Sequence, residues 1–435
     1  KRYASRVASS GATQPVSYAD ADHTRDDEDI TRFKEDADIR IYTDRTDARD
    51  NLVRVAAKLN LYSPPDVRLV DVVVGGQYGS EGKGHVSAYL AHEYDVLVRV
   101  GGPNAGHSVS SPSGVYVYHQ LPSGTKDSVA KILLGPGMTI YVPTLLKEIQ
   151  ECGVSAERLF IDPQAMIIEE GDLEDEKTLV GVIASTGRGG GSASARRISE
   201  RGKPSVRLAR EIAELKPYVG DSFPYRGSTT RQLEDAYRRR ESILLEGTQG
   251  SGLSILHGSY PHVTSRETNV AGCLAEAGIS PSRVRKVLVV VRPTPIRVAN
   301  PDGGANSSGP LKHETTFDEV AIKAELDARE LHENEKTSTT KRKRRVGWFD
   351  WEQFRNACSI NAPTDIVLTF ADYINKGNRN ARRFEQLTQN TIKFIEEIER
   401  VAQAPVSLIN TRFPREEETL DLRTVIDRRN WRGRL

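Results

Sequence analysis

The chain of 435 residues has almost no net charge, few cysteines and no long apolar run. Its formal charge is +1, so no overall field favours a nucleic-acid partner. Cys152, Cys273 and Cys358 lie far apart without a CxxC pair, which argues against a disulfide framework or a zinc site and favours a reducing, cytoplasmic environment. The longest apolar runs, such as 287–291, are too short to span a bilayer. The N-terminal "KRYASRVASSGATQ" lacks the apolar core of a secretory signal.

What remains is the composition of a globular protein, with 37% hydrophobic and 28% charged residues. We predict an N-terminal extension over 1–66 and a catalytic domain over 67–435. The extension contains a polar arm (1–35), an alternating segment typical of a strand (Ile39–Asp44) and a segment with helical spacing (Ala48–Tyr62). No role for this extension follows from its sequence.

Short apolar runs in the main domain predict buried strands of a parallel sheet: "VRLVDVVV", "YDVLVRV", "AKILLG", "SILLEG", "KVLVVV" and "DIVLTF". Segments with helical spacing lie between many of them: "VPTLLKEIQECG", "VRLAREIAELKPY", "TRQLEDAYRRR" and "WEQFRNACSI". This alternation predicts an α/β fold with a large, mainly parallel sheet flanked by helices and functional groups on the loops after strand ends. The segment 299–312 is rich in Gly, Asn and Ser and predicts a long loop.

A glycine-rich loop, "GGQYGSEGKG" (Gly75–Gly84), follows the first of these strands. A glycine loop between a strand and a helix exposes backbone N–H groups to phosphate, and Lys83 adds a positive charge. The loop is not a Walker A motif, because Gln77 replaces its first glycine and Gly84 replaces its Ser or Thr. It therefore predicts a phosphate loop of another kind.

Four further stretches carry chemistry only in combination, since each alone is compatible with an ordinary loop. "RVGGPNAGHSV" (99–109) places His107 after a strand, where it could act as a general acid or an electrostatic stabiliser. "STGRGGGSASARR" (185–197) suits a second phosphate. "LLEGTQGSGLSILHGSYPHVTS" (244–265) offers amide and hydroxyl groups to a base and a phosphate. "TSTTKRKRRVGWFD" (337–350) is either a solvated basic patch, a nuclear signal or a polyanion site, or a clamp for a small dicarboxylate and phosphates.

These five stretches, in this order, resemble the adenylosuccinate synthetase family from about Val67 to the C-terminus, with a core like that of phosphate-loop NTPases. The resemblance implies a C–N ligase that uses a purine monophosphate, a nucleoside triphosphate, magnesium and L-aspartate. The triphosphate phosphorylates O6 of the purine, and aspartate then displaces that phosphate from C6. The resemblance also implies a homodimer with a shared arginine, for which Arg197 and Arg201 are both candidates.

The same resemblance implies roles for individual residues. Catalytic roles fall on Ser80, Lys83 and His107, and metal-binding positions on Ser80 and Gly106. The triphosphate would lie against Gly79, Ser80, Glu81, Gly82, Lys83, Gly84, His85, Gly106, His107, Ser108, Arg344, Phe370 and Asp372. The monophosphate would lie against Ser80, Asn104, Thr186, Arg197 or Arg201, Gln249, Thr264 and Arg342, and aspartate against Thr339, Thr340, Arg342 and Arg344.

The first departure from the family pattern is Ser80, where the family's W-G-D-E-G-K-G loop has an aspartate that removes the N1 proton of hypoxanthine and ligates magnesium. A serine hydroxyl is smaller and can accept a hydrogen bond from the 2-amino group of guanine. This substitution resembles the phage-type branch of the family, which succinylates dGMP on the way to 2-aminoadenine DNA. The remaining candidates for removing the N1 proton are Glu81, water and a substrate phosphate.

The second departure is Phe370 in "LTFAD", where the family's T-K-L-D has a lysine over the guanine of GTP. An aromatic ring stacks on any purine, so ATP or dATP becomes the expected donor in place of GTP, although Asp372 is retained. Two other hypotheses stay open: an ordinary adenylosuccinate synthetase that uses IMP and GTP, and a non-catalytic protein that binds nucleotides or nucleic acid through 341–345. The neutral net charge makes nucleic acid the weaker expectation, and no feature predicts membrane association.

Overall fold

The computed structural model describes residues 32–34, 36–44, 46–111, 114–299, 308–337, 342–412 and 424–433. The chain divides into two compact units, 1–63 and 64–435. In the first unit, the Asp47 side chain caps a helix by accepting hydrogen bonds from the backbone N–H groups of Arg49 and Asp50 at 2.8 and 2.9 Å. The predicted strand over Ile39–Asp44 is wrong: this segment is irregular, because alternation alone forms no strand without a neighbour to pair with.

The second unit is built on a nine-stranded sheet with the order β16-β15-β14-β10-β1-β9-β2-β5-β7. All neighbouring pairs in it are parallel except β15 and β16, which are antiparallel. The strands are β1 (Val70–Gly75), β2 (Val96–Arg99), β3 (His107–Ser111), β4 (Gly114–Tyr118), β5 (Lys131–Leu134), β6 (Thr139–Ile140), β7 (Leu159–Ile161), β8 (Met166–Ile167), β9 (Ile243–Gly250), β10 (Val284–Val291), β11 (Ile296–Val298), β12 (Glu314–Thr315), β13 (Arg344–Gly347), β14 (Asp365–Leu368), β15 (Val406–Asn410) and β16 (Val425–Asp427). A smaller sheet has the order β11-β13-β12, and two further pairs are β3-β4 and β6-β8.

Helices flank the large sheet and separate many of its strands. The first unit contains α1 (Ala48–Lys58). The helices of the second unit are α2 (Lys83–Leu90), α3 (Val142–Cys152), α4 (Glu170–Ile183), α5 (Gly190–Ser199), α6 (Lys216–Val219), α7 (Thr229–Arg238), α8 (Val270–Ala277), α9 (Phe317–Ala324), α10 (Ala328–Asn334), α11 (Trp351–Asn361) and α12 (Gln389–Ala402). Short 3-10 turns lie at Ala91–Glu93, Ala209–Glu211, Ala213–Leu215, Ser251–Leu253, Pro281–Arg283, Ala371–Tyr373, Lys376–Asn380 and Phe384–Gln386. Among the described residues, none of the helices has both the length and the apolar character needed to cross a bilayer.

Both faces of the sheet are covered, which explains why its central strands are apolar throughout. All six residues of β1 are buried. Val72 and Val74 belong to a core cluster with residues of α7, α8, α11 and α12, whereas Val73 belongs to a cluster with Val86 and Leu90 of α2. The period-two alternation of a strand thus sends successive valines into two different cores.

The predicted helix over 206–218 is wrong. The chain forms two 3-10 turns and the short α6 there, with Ile212 in extended conformation between the turns. Ile212, Leu215 and Val219 nevertheless all lie in one core cluster. Tertiary packing of these apolar side chains therefore overrides the local helical spacing.

Five parallel strands lie next to one another in the sheet, in the order β14-β10-β1-β9-β2. Their carboxyl ends therefore meet at one edge of the sheet, where ligands bind in open α/β folds. The loops after β1, β2, β9 and β14 carry much of the predicted chemistry, whereas the stretches over 185–197 and 337–350 follow α4 and α10.

Candidate active site

The loop over Gly75–Gly84 joins β1 to α2 and is held together by Glu81. One carboxylate oxygen of Glu81 accepts hydrogen bonds from the backbone N–H groups of Gln77 and Gly79 at 2.9 and 2.8 Å, and the other accepts from Lys83 Nζ at 2.7 Å. Lys83 Nζ also donates to the Gly79 carbonyl at 3.0 Å. Glu81 is only 1% exposed; its carboxylate organises the loop rather than facing a ligand.

Both departures from the Walker A pattern have structural reasons. The Gln77 side chain pairs with the backbone of Arg292 in both directions, at 3.0 and 3.1 Å, and so ties the loop to the end of β10. A side chain at Gly84 would place its Cβ 2.8 Å from the Cβ of His107, so a serine or threonine does not fit. Gly82, with φ of 88°, turns the chain into α2 in a left-handed conformation that favours glycine.

A cavity of about 1250 Å³ lies at this edge of the sheet. Ser80 lines it with a partly exposed side chain, and the Ser80 carbonyl accepts a hydrogen bond from Arg292 Nη1 at 3.3 Å. Because Glu81 is turned inward, the loop over 75–84 presents a hydroxyl and an ammonium group to the cavity, and no carboxylate.

His107 is positioned by the buried carboxylate of Glu246, a residue of β9. Its Nδ1 lies 2.6 Å from Glu246 Oε1, and the same oxygen lies 3.0 Å from Arg99 Nη1 and accepts from Ser123 Oγ at 2.6 Å. Arg99 Nη1 also lies 2.9 Å from His107 Nδ1. The shorter contact is with Glu246, whose carboxylate can only accept, so we assign the imidazole proton to Nδ1, which leaves Nε2 without a proton at the cavity wall. Burial and the charge of Arg99 lower the pKa of His107 to about 4. Although burial opposes it, Arg99 and His107 hold the pKa of Glu246 at about 2.

Several buried polar atoms around the cavity have no hydrogen-bond partner within the described part of the chain. They are Asn104 Oδ1, His107 Nε2, Thr186 Oγ1, Arg344 Nε, and Nε and Nη2 of Arg297, and all five residues line the cavity. Buried polar atoms are nearly always satisfied in folded proteins. A polar, anionic ligand would satisfy these atoms.

A chain of ion pairs connects the loop over 75–84 with β13. Glu335 pairs with Arg292 on one side and with Arg344 on the other, the latter at 2.7 Å. Burial opposes ionisation of Glu335, but the two guanidinium groups hold its pKa at about 2. Arg344 is thereby held at the cavity wall, where its Nε remains available to a ligand.

The predicted second phosphate loop begins α5, and its backbone N–H groups are already occupied. The Glu176 carboxylate accepts hydrogen bonds from the N–H groups of Gly189 at 2.8 Å, Gly191 at 2.5 Å and Ser192 at 3.4 Å. These backbone donors at the N-terminus of α5 are therefore already used, whereas Thr186 Oγ1 in the same loop has no hydrogen-bond partner among the described residues.

Opposite this loop, Gln249 Nε2 donates to Thr264 Oγ1 at 3.3 Å, and Thr248 Oγ1 donates to Gln249 Oε1 at 2.8 Å. Gln249 and Thr264 both line the cavity. Their side chains are thus held beside each other, although they come from β9 and from a loop 15 positions further on.

Beyond β14, Phe370 and Asp372 have different positions. Phe370 lines the cavity, with the Arg292 guanidinium 4.8 Å from its ring centroid. Asp372 is completely buried and outside the lining, and its Oδ2 accepts from Arg379 Nε at 3.1 Å. Arg379 also donates to both carboxylate oxygens of Glu330, at 3.1 and 2.8 Å.

The cavity brings most of the predicted residues together. Those that line it are Gly79, Ser80, Gly82, Lys83, Gly84, His85, Asn104, Gly106, His107, Ser108, Thr186, Gln249, Thr264, Arg342, Arg344 and Phe370. Glu81, Asp372, Arg197 and Arg201 do not line it, and Thr339 and Thr340 lie outside the described residues.

Sequence reasoning missed the residues that hold these groups in place: Arg99, Glu246, Arg292, Arg297 and Glu335. For Arg99, Glu246 and Arg292 the available signal was a charged residue within or directly after an apolar strand, since such residues are rarely buried without a partner. A cavity lined by arginines, a phosphate loop and a buried histidine is the site of an enzyme that acts on phosphorylated, anionic substrates.

The family model for adenylosuccinate synthetase matches residues 72–211 and 194–379. Adenylosuccinate synthetase of Methanocaldococcus jannaschii is 35% identical over 365 residues, which cover 82% of this chain and 97% of that protein. The enzyme of Thermococcus onnurineus is 36% identical over 364 residues, covering 82% of this chain and 99% of that protein. The chain therefore belongs to the adenylosuccinate synthetase family, and it is a C–N ligase that joins aspartate to a purine nucleotide.

Two solved structures share the fold. Succinoaminodeoxyadenylate synthetase of cyanophage S-2L, bound to dGMP and to dATP as an energy donor, is 28% identical with a TM-score of 0.67 and covers 83% of this chain and 95% of that chain. Fully ligated adenylosuccinate synthetase from Plasmodium falciparum has a TM-score of 0.68 at 22% identity and covers 83% of this chain and 100% of that chain. The second likeness concerns the fold alone.

Proposed function

We propose that this ligase joins L-aspartate to C6 of dGMP through a 6-phosphoryl intermediate, with ATP or dATP as the donor. The product would be N6-succino-2-amino-2'-deoxyadenylate, a precursor for 2-aminoadenine DNA. The observation that carries the proposal is the wall formed by the loop over 75–84, where Ser80 lines the cavity and the one carboxylate of the loop, Glu81, does not. A hydroxyl leaves room for the 2-amino group of guanine and can accept its hydrogen bond. The S-2L relative, bound to dGMP and dATP, supports the same choice of substrates.

The residues of the cavity support phosphoryl transfer to O6. His107, held by Glu246, would place Nε2 against the transferring phosphoryl group, and the negative charge of bound phosphates would favour the protonated imidazole there. Lys83 would exchange its bond to Glu81 for a phosphate oxygen. Asn104, Thr186, Gln249 and Thr264 would hold the monophosphate nucleotide, since their polar atoms border the cavity.

Arginines would hold the remaining anionic groups, and magnesium would enter with the triphosphate. Arg342 and Arg344 are placed to bind the carboxylates of aspartate, together with Thr339 and Thr340, and Arg344 would also reach the triphosphate. Magnesium usually reaches such sites bound to substrate phosphates; among the described residues no cluster of three or more His, Cys, Asp or Glu side chains could hold the ion alone. Ser80 and the Gly106 carbonyl, both at the cavity wall, would complete its coordination.

Removal of the N1 proton is best assigned to water or a substrate phosphate. Glu81 is the third candidate, but its two oxygens already accept three hydrogen bonds of 2.7 to 2.9 Å within the loop. Its rotation toward the cavity would release Lys83 and two backbone N–H groups at once. Glu81 is therefore better suited to shaping the loop than to proton transfer.

A substrate matrix tests the proposal: IMP, GMP and dGMP, each with ATP or GTP, with L-aspartate and magnesium, followed by phosphate release and product mass. We expect dGMP with ATP to give the highest kcat/KM. Turnover of IMP without turnover of dGMP would refute the choice of purine. In Ser80→Asp we expect the ratio of kcat/KM for dGMP over IMP to fall by roughly tenfold to a hundredfold. Ser80→Ala, which keeps the space for the 2-amino group, is the matched control and should retain the preference for dGMP over IMP.

The choice of donor has its own support in Arg379. A guanine base is recognised by a carboxylate that accepts from two adjacent N–H groups, but the Asp372 carboxylate is buried and paired with Arg379. Phe370 remains at the cavity wall and offers a stacking surface that does not distinguish purines. Adenine is therefore the better-suited base.

In Arg379→Gln, we expect release of Asp372 and a gain in kcat/KM with GTP of about tenfold relative to ATP. Initial rates with saturating dGMP and aspartate measure this ratio. Arg383→Gln, which changes an exposed arginine nearby, is the control. An unchanged ratio in Arg379→Gln would show that Arg379 does not govern donor choice.

A further inference from the structure

Arg297 is a buried arginine at the cavity wall that none of the roles above includes. It lies on β11, is 5% exposed, and its guanidinium carbon lies 4.1 Å from the centroid of the Tyr78 ring. Nη1 donates to the carbonyl oxygens of Ser308 and, at 3.4 Å, of His262. Among the residues that the structure describes, Nε and Nη2 are buried and have no hydrogen-bond partner, although Arg297 lines the cavity.

The neighbouring Arg345 shows what a structural arginine looks like at this place. It lies directly opposite Arg297 in the β11-β13 pairing and donates to Ser308 Oγ and to the Gly309 carbonyl, both at 2.8 Å. Its Nε and Nη2 also form a two-pronged bond to the Glu314 carboxylate, at 2.7 and 2.6 Å. The two arginines thus hold the same turn, but within the described part of the chain a carboxylate pairs with Arg345 and none pairs with Arg297.

An unmatched buried guanidinium is costly, because burial removes its hydration without supplying an opposite charge. Burial lowers the pKa of Arg297, but a guanidinium remains protonated at neutral pH. The edge formed by Nε and one N–H of Nη2 presents two parallel donors, which is the geometry that binds a carboxylate or a phosphate with two hydrogen bonds. In this protein the edge belongs to Arg297, which lines the cavity.

We propose that Arg297 binds an oxyanion of a substrate through its Nε–Nη2 edge and is a substrate-binding residue of this ligase. The adjoining Val298 pairs with Arg344 across the sheet and also lines the cavity. Arg297 and Arg344 therefore border the same part of the cavity, where an anion would meet both. The oxyanion belongs either to a nucleotide phosphate or to a carboxylate of aspartate. The inference rests on the proposed function only for the identity of the ligands used as probes.

The test compares Arg297→Met, which keeps the length of the side chain but removes its charge, with Arg345→Met as the matched control. Isothermal titration measures binding of dGMP, IMP, ATP and the uncharged 2'-deoxyguanosine, and steady-state kinetics measure the KM for aspartate. We expect roughly tenfold to hundredfold weaker binding of one class of anion in Arg297→Met. Weaker binding of dGMP and IMP would show that Arg297 contacts the monophosphate, and weaker binding of ATP that it contacts the triphosphate. A raised KM for aspartate alone would show that it contacts the aspartate carboxylate.

The binding role of Arg297 also predicts three results that a purely structural role does not. Deoxyguanosine should bind Arg297→Met and the parent protein alike, and Arg297→Lys should recover part of the lost anion affinity. The Tm of free Arg297→Met should fall no further than that of Arg345→Met, because an unmatched buried charge is removed. Equal loss for every ligand, or no loss beyond the Arg345→Met control, would overturn the inference. If the protein binds IMP but not dGMP, that result contradicts the proposed function, but the comparison of Arg297→Met with Arg345→Met can still be made with IMP.

Discussion

At the scale of single residues, Glu246 controls the state of His107. It is fully buried and joins Arg99, His107 and Ser123, so one carboxylate sets the tautomer of the imidazole and balances the guanidinium. Residues that act on a ligand through another residue in this way are as important to the site as those that touch it.

In Glu246→Gln, we expect kcat to fall by about a hundredfold, because the neutral amide no longer stabilises a protonated imidazole. NMR of ring-labelled histidine in the ligand-bound protein should show a lower pKa of His107 in this variant. Glu148→Gln is the control: Glu148 is a buried carboxylate that accepts from the backbone N–H groups of His119, Gln120 and Leu121, away from the cavity. The same loss of kcat in both variants would indicate general destabilisation.

The acid stability of Glu246→Gln provides a second readout. The pKa of Glu246 is about 2 in the folded protein and 4.5 as its ordinary value, so the ionised carboxylate adds stability above pH 4.5 that is lost as the pH falls toward 2. His107 acts in the same direction: its pKa of about 4 lies below its ordinary value of 6.5, so the folded state loses stability as the pH falls from 6.5 toward 4. Urea unfolding between pH 3 and pH 7 should therefore show a shallower acid loss in the variant.

The residues that could be predicted from the sequence are those on glycine-rich loops. Asn104, His107 and Gln249 stand out because small residues surround them after an apolar run. Glu246 was visible in the sequence but carried no local sign of its partner, which lies 139 positions away. Pairing across separate strands depends on the order of the sheet, and a single sequence does not contain that order.

At the scale of elements, the six apolar runs that predict strands became β1, β2, β5, β9, β10 and β14. These six are consecutive in the sheet, in the order β14-β10-β1-β9-β2-β5. Strands buried on both faces are apolar throughout and are therefore visible in the sequence. The edge strands β7 and β16 have three residues each, too few for a periodic pattern.

The loop over 75–84 shows how an element's surroundings determine its sequence. Gln77 bonds to the backbone at the end of β10, and Gly84 lies against His107. A Walker A sequence would lose the first contact and clash at the second. The residues that exclude a Walker A motif, Gln77 and Gly84, are thus explained by packing against β10 and β3.

At the scale of the whole molecule, the two arginines that were candidates for a shared site remain outside the cavity. Arg197 Nη1 donates to the Gln164 carbonyl at 2.8 Å and to the Pro136 carbonyl at 3.4 Å, so its guanidinium serves its own subunit. Arg201 follows α5 and is exposed. If subunits share an arginine, Arg201 is the better-suited of the two.

A mixing experiment tests whether the chain forms a homodimer in which Arg201 completes the neighbouring site. Arg201→Ala and His107→Asn should each be nearly inactive, since one lacks the monophosphate contact and the other the group at the phosphoryl transfer. After mixing with subunit exchange, half of the dimers carry one variant of each kind. One of the two sites in such a dimer has both native residues, so activity should rise to about a quarter of the native value.

Arg197→Ala mixed with His107→Asn is the matched control. Sedimentation must show a dimer throughout; a monomer, or a mixture that stays inactive, would place the whole site within one subunit and contradict the shared arginine.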